Sequence, residues 1–179
     1  MGVEVIMSTS HVSHSSDWLP DLLLLSESDG NWDRYLDRLY QAFYDDFVMS
    51  KPAYPGKRFA LKRHPMTLEK ETTFWHLIQK GPEEGAKSED DRVPYLPRCE
   101  RIRWPRPIVE AMGSGQVRVW KNVRGRNERI VIALIDFSYK VVLEDRGDFV
   151  MLWTAYPVLQ THGRQKLEKE YINWKSQNG

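Results

Sequence analysis

The stretch from residue 129 to residue 158 constrains the fold more than any other part of the chain. It reads RIVIALIDFSYKVVLEDRGDFVMLWTAYPV, three runs of aliphatic, β-branched and aromatic residues separated by a clear turn at Arg146-Gly147-Asp148 and by one bend. Runs of this length that are bounded by turn residues are typical of neighbouring antiparallel strands. The pattern therefore predicts a three-stranded meander, with one more strand at residues 117–122 just before it.

Helices are predicted on both sides of these strands. Asn31 can cap a helix whose apolar residues recur at spacings of three and four until Lys51-Pro52, where proline disfavours further helix. A second helix is predicted from Thr67, as its cap, to Gly81, as its C-terminal glycine. A charged C-terminal helix carries apolar residues at i, i+4 and i+7, namely Leu167, Tyr171 and Trp174. This order of elements favours the α+β class, with N-terminal helices packed on a mostly antiparallel sheet of four to five strands and a C-terminal helix.

Shorter elements are predicted between the first helix and the sheet. Residues 98–104 (RCERIRW) alternate between charged and apolar side chains, which predicts a strand that ends at Pro105. On such a strand Arg101 and Arg103 share one face, and Arg98 lies on the opposite face. The remaining segments are a short strand near residues 58–62, a loop at residues 82–97 and a short helix at residues 107–112.

The length of 179 residues predicts a single domain at residues 18–179, after a Ser- and His-rich tail at residues 1–17 that is expected to be disordered. No run of about 18 apolar residues and no basic-then-apolar leader is present, so a cytoplasmic protein without a membrane partner is expected. The single Cys99 excludes an internal disulfide and is typical of a reducing compartment.

The net charge of +1 conceals an uneven distribution of charge along the chain. Residues 1–50 hold nine carboxylates against two arginines, whereas residues 92–129 hold ten basic residues against three acidic ones. A chain of this kind can present one basic face to a polyanion and stay soluble. The alternative is that these opposite charges pair with each other across the fold.

The motifs of the common nucleotide, zinc and α/β-hydrolase sites are missing from the sequence, and neither a metal nor a cofactor is expected. What remains is a set of residues that could act without a metal as base, charge stabiliser and acid in RNA cleavage. The candidate catalytic residues are His76, Arg101, Arg103, Thr154 and Tyr156. The candidate substrate-binding residues are His64, Lys121 and Trp104.

Each candidate also has a structural interpretation. His76 lies at the edge of the apolar face of its helix and could be a structural histidine, and the arginines could pair with the acidic first helix. Thr154 and Tyr156 share a strand face by the two-residue period, expected to be the face of Val150 and Leu152, which turns polar at its end.

The layout of residues 31–160 resembles the fold shared by barnase, EndoU, colicin nucleases and RelE toxins (the BECR fold), and its phage-associated members in particular. The segments that carry the resemblance are KRHP (62–65), ETTFWHLI (71–78), RCERIRWPR (98–106), IDFSYKVVLE (135–144) and LWTAY (152–156). The resemblance implies a metal-independent endoribonuclease of the toxin or effector type, which cleaves RNA by attack of the 2′-hydroxyl and leaves a 2′,3′-cyclic phosphate. It also implies an immunity or antitoxin partner. The near-neutral net charge departs from the strongly basic character of many such nucleases.

Two other functions stay open at this point. The chain could be a non-catalytic, phage- or mobile-element-associated adaptor that uses its basic patch to bind nucleic acid or an acidic protein. It could also use the acidic helix at residues 31–48 as a mimic of nucleic acid.

Overall fold

The computed structural model describes residues 16–81 and 92–179, so most of the predicted tail and part of the predicted loop at residues 82–97 lie outside the described residues. The fold belongs to the α+β class, as the order of elements predicts. In chain order the helices and strands are α1 (Trp32–Phe43), β1 (Arg58–Leu61), α2 (Thr72–Ile78), β2 (Gln79–Lys80), β3 (Val93–Pro94), α3 (Leu96–Cys99), α4 (Pro105–Glu110), β4 (Val117–Arg124), β5 (Asn127–Leu134), β6 (Tyr139–Asp145), β7 (Phe149–Pro157) and α5 (Thr161–Asn178).

Five of the strands form one sheet in the order β1-β7-β6-β5-β4. Strands β4 to β7 are the predicted antiparallel meander, in which each strand pairs with the next along the chain. Strand β1 pairs with β7 in parallel, from Arg58 opposite Phe149 to Leu61 opposite Leu152. The sheet is therefore mostly antiparallel, with one parallel edge strand contributed by the N-terminal half of the chain.

The first helix forms where its cap predicts. The Asn31 side chain accepts a hydrogen bond from the Arg34 backbone N–H at 3.0 Å, which satisfies one of the free donors at the helix start. The helix continues beyond Phe43 as π-helical turns from Tyr44 to Met49. It ends ahead of Pro52, as the sequence predicts.

One face of the sheet packs against α1, α2 and α4 and forms the main core. Aromatic rings dominate the contact with the helices, because Phe74 of α2 packs against Phe43 at 5.4 Å and edge-on against Tyr40 at 5.2 Å between ring centroids. Phe43 and Phe74 are both fully buried. This aromatic contact joins the N-terminal helices to each other above the sheet.

The second face of the sheet is only partly covered. Helix α5 packs over β4 and β5, where Trp120, Phe137 and Leu167 form a smaller core. Trp120 is fully buried, and its indole N–H donates to the Glu170 carboxylate at 2.8 Å. The predicted packing of the C-terminal helix on the domain is confirmed, and the part of this face that belongs to β6 and β7 lies beyond the helix.

The predicted start of α2 at Thr67 is wrong. Leu68 and Glu69 adopt left-handed backbone conformations, with φ of 48° and 58°, and Thr67 and Lys70 exchange two backbone hydrogen bonds of 3.0 Å. Two successive left-handed residues are the geometry of a tight hairpin turn, which Asn-Gly favours and which Leu-Glu does not signal. The helix therefore begins only at Thr72.

The predicted strand at residues 98–104 is also wrong, since this segment continues α3 as a series of turns. Cys99 and Ile102 are the buried apolar residues, and a spacing of three fits helical turns rather than a strand. Pro97 lies in the first turn of α3, where its missing N–H costs no hydrogen bond. The predicted helix at residues 107–112 does form, but it starts two residues earlier, at Pro105.

Among the described residues, no helix combines the length and the apolar character needed to cross a membrane.

Substitution of Phe74 by alanine should lower the free energy of unfolding by about 3–5 kcal/mol, because it removes a fully buried ring and leaves a cavity. The control is Ile172→Ala, an apolar truncation at a half-exposed position of α5, which should change stability by less than about 0.5 kcal/mol. Urea denaturation followed by circular dichroism measures both. Equal effects of the two substitutions would contradict the proposed core.

The ion pair between Lys57 and Asp145 should make stability depend on pH. Lys57 Nζ lies 2.6 Å from the Asp145 carboxylate, and this hydrogen bond lowers the pKa of Asp145 below its ordinary value. A lowered folded-state pKa stabilises the fold above the unfolded pKa of about 3.9 and loses this effect as the pH falls. We expect Lys57→Met to be less stable than the parent at neutral pH, with the difference vanishing in strong acid. The exposed Lys166→Met should show no such trend in the same denaturation series.

Candidate functional site

A one-residue irregularity in β7 decides which side chains lie on the uncovered part of the sheet. Leu143 of β6 pairs with Leu152, but the preceding Val142 pairs with Thr154, so Trp153 is an extra residue in β7. Beyond this bulge Thr154 and Tyr156 point away from the main core. Their shared face is confirmed, whereas the prediction that it is also the face of Val150 and Leu152 is wrong.

Thr154 and Tyr156 line a small cavity on this face. Its volume is about 80 Å³, and its walls include Asn122 of β4, Arg129 of β5 and Lys140 of β6. A water molecule occupies roughly 30 Å³ in the liquid, so the cavity has room for only a few water-sized groups. It can hold a compact polar group.

Two cations contact the ring of Trp153 beside this cavity. The Arg129 guanidinium lies 5.3 Å and the Lys62 ammonium 6.0 Å from the centroid of its ring. Both distances fall in the range of cation–π attraction. The edge of the His76 ring meets the same indole, with 5.7 Å between centroids.

Two further cations contact the ring of Tyr156. The Arg98 guanidinium lies 4.6 Å and the Lys140 ammonium 4.9 Å from the centroid of its ring. Arg98 also donates hydrogen bonds to the backbone carbonyls of His76 at 3.1 Å and Gln79 at 2.8 Å, at the C-terminal end of α2. Helix carbonyls at this end carry partial negative charge, which suits a cation. Burial, and then the charge of Arg92, lower the pKa of Arg98.

We call this surface the cationic face. Its members are Lys62, Arg98, Arg129, Lys140, Trp153, Thr154 and Tyr156. Among the described residues, no carboxylate forms an ion pair with any of its four cations. Its positive charge is therefore not cancelled by a direct partner in the described part of the chain.

Two carboxylates border the cationic face and are held in place by other groups. Glu144 stands opposite Arg129 in the sheet and is 1% exposed, with Arg146 Nη2 at 3.1 Å from its carboxylate. Glu170 of α5 accepts hydrogen bonds from the Trp120 indole and, at 2.6 Å, from the Asn122 amide. Neither carboxylate lines the small cavity.

His76 lies next to the cationic face but in a different cavity. Its side chain is buried, with the residue 6% exposed, and it lines a cavity of about 450 Å³ together with Trp75, Gln79 and Arg92. Its backbone carbonyl accepts a hydrogen bond from the Thr154 hydroxyl at 3.3 Å. The structure thus brings three of the predicted catalytic residues together, namely His76, Thr154 and Tyr156.

Arg101 and Arg103 do not join this group. Arg101 donates to the Pro97 carbonyl at 2.9 Å, and its guanidinium lies 5.1 Å from the centroid of the Trp104 ring, in a cavity lined by residues from the start of the described chain. Arg103 is exposed and adds to the lowering of the pKa of Glu27, which is caused chiefly by the hydrogen bond from Arg38. The two arginines thus lie near the N-terminal segments and contribute nothing to the lining of the small cavity.

The predicted substrate-binding residues also lie apart from the cationic face. The Trp104 indole donates to the Pro20 carbonyl at 2.9 Å and packs edge-on against Tyr139 of the main core. Lys121 pairs with Glu128 at 2.6 Å and points to the side of the sheet opposite to its neighbour Asn122. His64 is exposed in the loop between β1 and α2.

The sequence indicates the positions of some of these cations, although none of them was predicted as a site residue. In β6 the residues Tyr139 and Val141 face the main core, so Lys140 between them must face the other side. The same two-residue period, applied to Ile130 and Ile132, places Arg129 on the side of Lys140. Arg98 lies in the short helix α3 and Lys62 directly follows β1, and no local pattern of the sequence indicates where their long side chains end.

Among the described residues, no cluster of three or more His, Cys, Asp and Glu side chains is arranged to hold a metal ion.

Comparison with known proteins finds no matching family, no matching curated protein and no matching solved structure. The resemblance to the barnase, EndoU, colicin and RelE fold stays a prediction that these comparisons do not test.

Arg98 should act as a clamp between α2 and the end of β7. Substitution by alanine removes two hydrogen bonds from a charged donor, so we expect a loss of about 1.5–3 kcal/mol in the free energy of unfolding. Arg98→Lys should recover only part of this loss, because the ammonium of a shorter side chain lacks the planar guanidinium that lies over the Tyr156 ring. The matched control is Arg103→Ala at an exposed position, which should stay within about 0.5 kcal/mol of the parent. Urea denaturation separates these results, and an equal loss in both alanine variants would refute the clamp.

Proposed function

We propose that this chain is a metal-independent ribonuclease-type domain that binds and cleaves RNA on its cationic face. The observation that carries the proposal is the convergence of four cations, unpaired with carboxylates among the described residues, around Trp153 and Tyr156. Lysine and arginine attract the phosphates of nucleic acid, and aromatic rings stack with unpaired bases. A surface that offers both is typical of proteins that bind single-stranded nucleic acid.

The small cavity supports a binding site for one phosphate. Arg129 and Lys140 both line it, together with the polar side chains of Asn122 and Thr154. Its volume of about 80 Å³ suits a compact group such as a phosphate. A phosphate held there would meet two positive charges, which is the setting that stabilises charge during phosphoryl transfer.

The proposed cleavage is a transesterification at the phosphate held in the small cavity. The 2′-oxygen forms a bond to phosphorus while the bond from phosphorus to the 5′-oxygen breaks, which yields a 2′,3′-cyclic phosphate and a 5′-hydroxyl. Arg129 and Lys140 stabilise the negative charge that grows on the phosphoryl oxygens. Tyr156, which lines the same cavity, donates a proton to the departing 5′-oxygen. His76, whose ring contacts Trp153, accepts the 2′-hydroxyl proton through a water molecule.

A second candidate function is RNA binding without cleavage on the same face. The burial of His76, and its position in a different cavity from Arg129 and Lys140, favour this alternative. A protein partner that restrains the domain would be acidic in both cases, since it would have to cover the cationic face.

Cleavage should be measured with mixed-sequence RNA in the presence of EDTA. We expect the parent protein to cleave RNA, and Tyr156→Phe to reduce the rate about 100-fold or more because it removes the proton donor and keeps the ring. Binding of a labelled single strand should be little changed in Tyr156→Phe and weakened in Arg129→Ala and Lys140→Ala. The salt dependence of binding should become shallower by about one charge in each of these two variants.

Arg103→Ala is the matched control, since it removes an equal charge from an exposed position outside the cationic face. It should leave both binding and cleavage unchanged. His76→Gln should slow cleavage without affecting binding if the imidazole accepts the proton. RNA binding without any cleavage would support the second candidate, and an absence of RNA binding at low salt would exclude both.

A further inference from the structure

A second cavity adjoins the cationic face on the other side of Tyr156. It has a volume of about 350 Å³ and lies between β2, α3, the end of β7 and the start of α5. Tyr156 lines both this cavity and the small one of about 80 Å³. The two cavities are therefore neighbours that share an aromatic wall.

The side chains of the larger cavity combine positive charge with aromatic rings. The Lys80 ammonium lies 5.3 Å from the centroid of the Tyr95 ring, and the Arg98 guanidinium lies 4.6 Å from that of Tyr156. No described carboxylate lines this cavity. Its volume falls within the range of roughly 300–1,000 Å³ found for small-molecule sites. It can therefore hold a larger group than the small cavity, up to the size of a nucleotide.

The spacing of the cations fits neighbouring phosphates of one strand. Arg98 and Lys140 both contact the ring of Tyr156, so their charges are at most about 10 Å apart. Arg98 belongs to the larger cavity and Lys140 to the smaller one. A strand that crosses Tyr156 could place one phosphate beside each of these two cations.

We propose that the larger cavity binds the nucleotide next to the phosphate held in the small cavity. Lys80 and Arg98 bind the phosphate of this nucleotide, and Tyr95 and Tyr156 contact its base. The substrate class is then single-stranded RNA with at least two successive phosphates, because a duplex keeps its bases stacked inside. This inference rests on the proposed RNA-binding function and adds the length and strandedness of the substrate.

The test compares uridylyl-uridine, which has one phosphate, with the same dinucleotide carrying a second phosphate at its 5′ or its 3′ end. Affinities are measured by competition against a labelled single-stranded 12-mer of RNA. We expect one of the two added phosphates to tighten binding to the parent protein about tenfold, as a charge-assisted contact does. Lys80→Ala should remove this gain. A 12-base-pair RNA duplex should compete less well than the 12-mer single strand.

Gln160 offers variants that preserve the fold, because it is exposed and lines the same cavity. Gln160→Lys should enlarge the gain from the second phosphate, and Gln160→Glu should abolish it. Because Gln160 directly precedes α5, whose N-terminus favours an acidic side chain, a purely structural effect of these charges would have the opposite sign. Lys166→Ala, at an exposed position of α5 outside the cavity, is the charge-matched control and should keep the full gain.

The outcomes separate this inference from the proposed function. If the 12-mer binds but neither added phosphate improves the dinucleotide, or if the gain survives in Lys80→Ala and Gln160→Glu, the second nucleotide site is refuted and the RNA-binding face stands. Competition by the duplex equal to that by the single strand would also refute it. If the 12-mer itself does not bind, both proposals are refuted.

Discussion

One extra residue in β7 determines how the second face of the sheet is built. Without Trp153 as a bulge, regular alternation from Val150 and Leu152 would direct Thr154 and Tyr156 into the main core. Burial of their hydroxyls there without partners would cost free energy, and the apolar packing beside Ala155 would be lost. The bulge instead keeps apolar side chains of β7 on the face of the main core, and it directs Thr154 and Tyr156 to the opposite face. The packing of the core and the exposure of the cationic face are two results of the same register shift.

Sequence patterns that span only a few residues predicted the helix start, the turn and the strands correctly. The cap at Asn31, the turn at Arg146-Gly147-Asp148 and the apolar runs of the meander all act within a few residues, and each structure formed as predicted. The errors at Thr67 and at residues 98–104 have a different origin. Leu-Glu forms a turn of two left-handed residues, although these residue types do not usually indicate one. At residues 98–104 the charged and apolar residues alternate as in a strand, but the buried residues are Cys99 and Ile102, which are three residues apart.

The sequence predicted the position of a site residue only where a single strand or helix determines that position. The two-residue period was sufficient to pair Thr154 with Tyr156. The helical period placed His76 at the edge of the apolar face of α2, where it was expected to be partly accessible, but the structure buries it. The meeting of cations from four separate segments depends on strand register and on where long side chains end. Arg98 reaches Tyr156 only because its segment is helical, so the error in secondary structure selected Arg101 and Arg103 instead.

The parallel pairing of β1 with β7 has a consequence for biosynthesis. Arg58 finds its partner Phe149 only after most of the domain has left the ribosome, so β1 and the helices around it emerge long before the strand that completes the sheet. Contacts between such distant positions slow folding, because a long loop must close before they form. Thr154 and Tyr156 belong to that same final strand. A nascent chain therefore cannot assemble the cationic face until β7 has been synthesised, about 90 residues after β1.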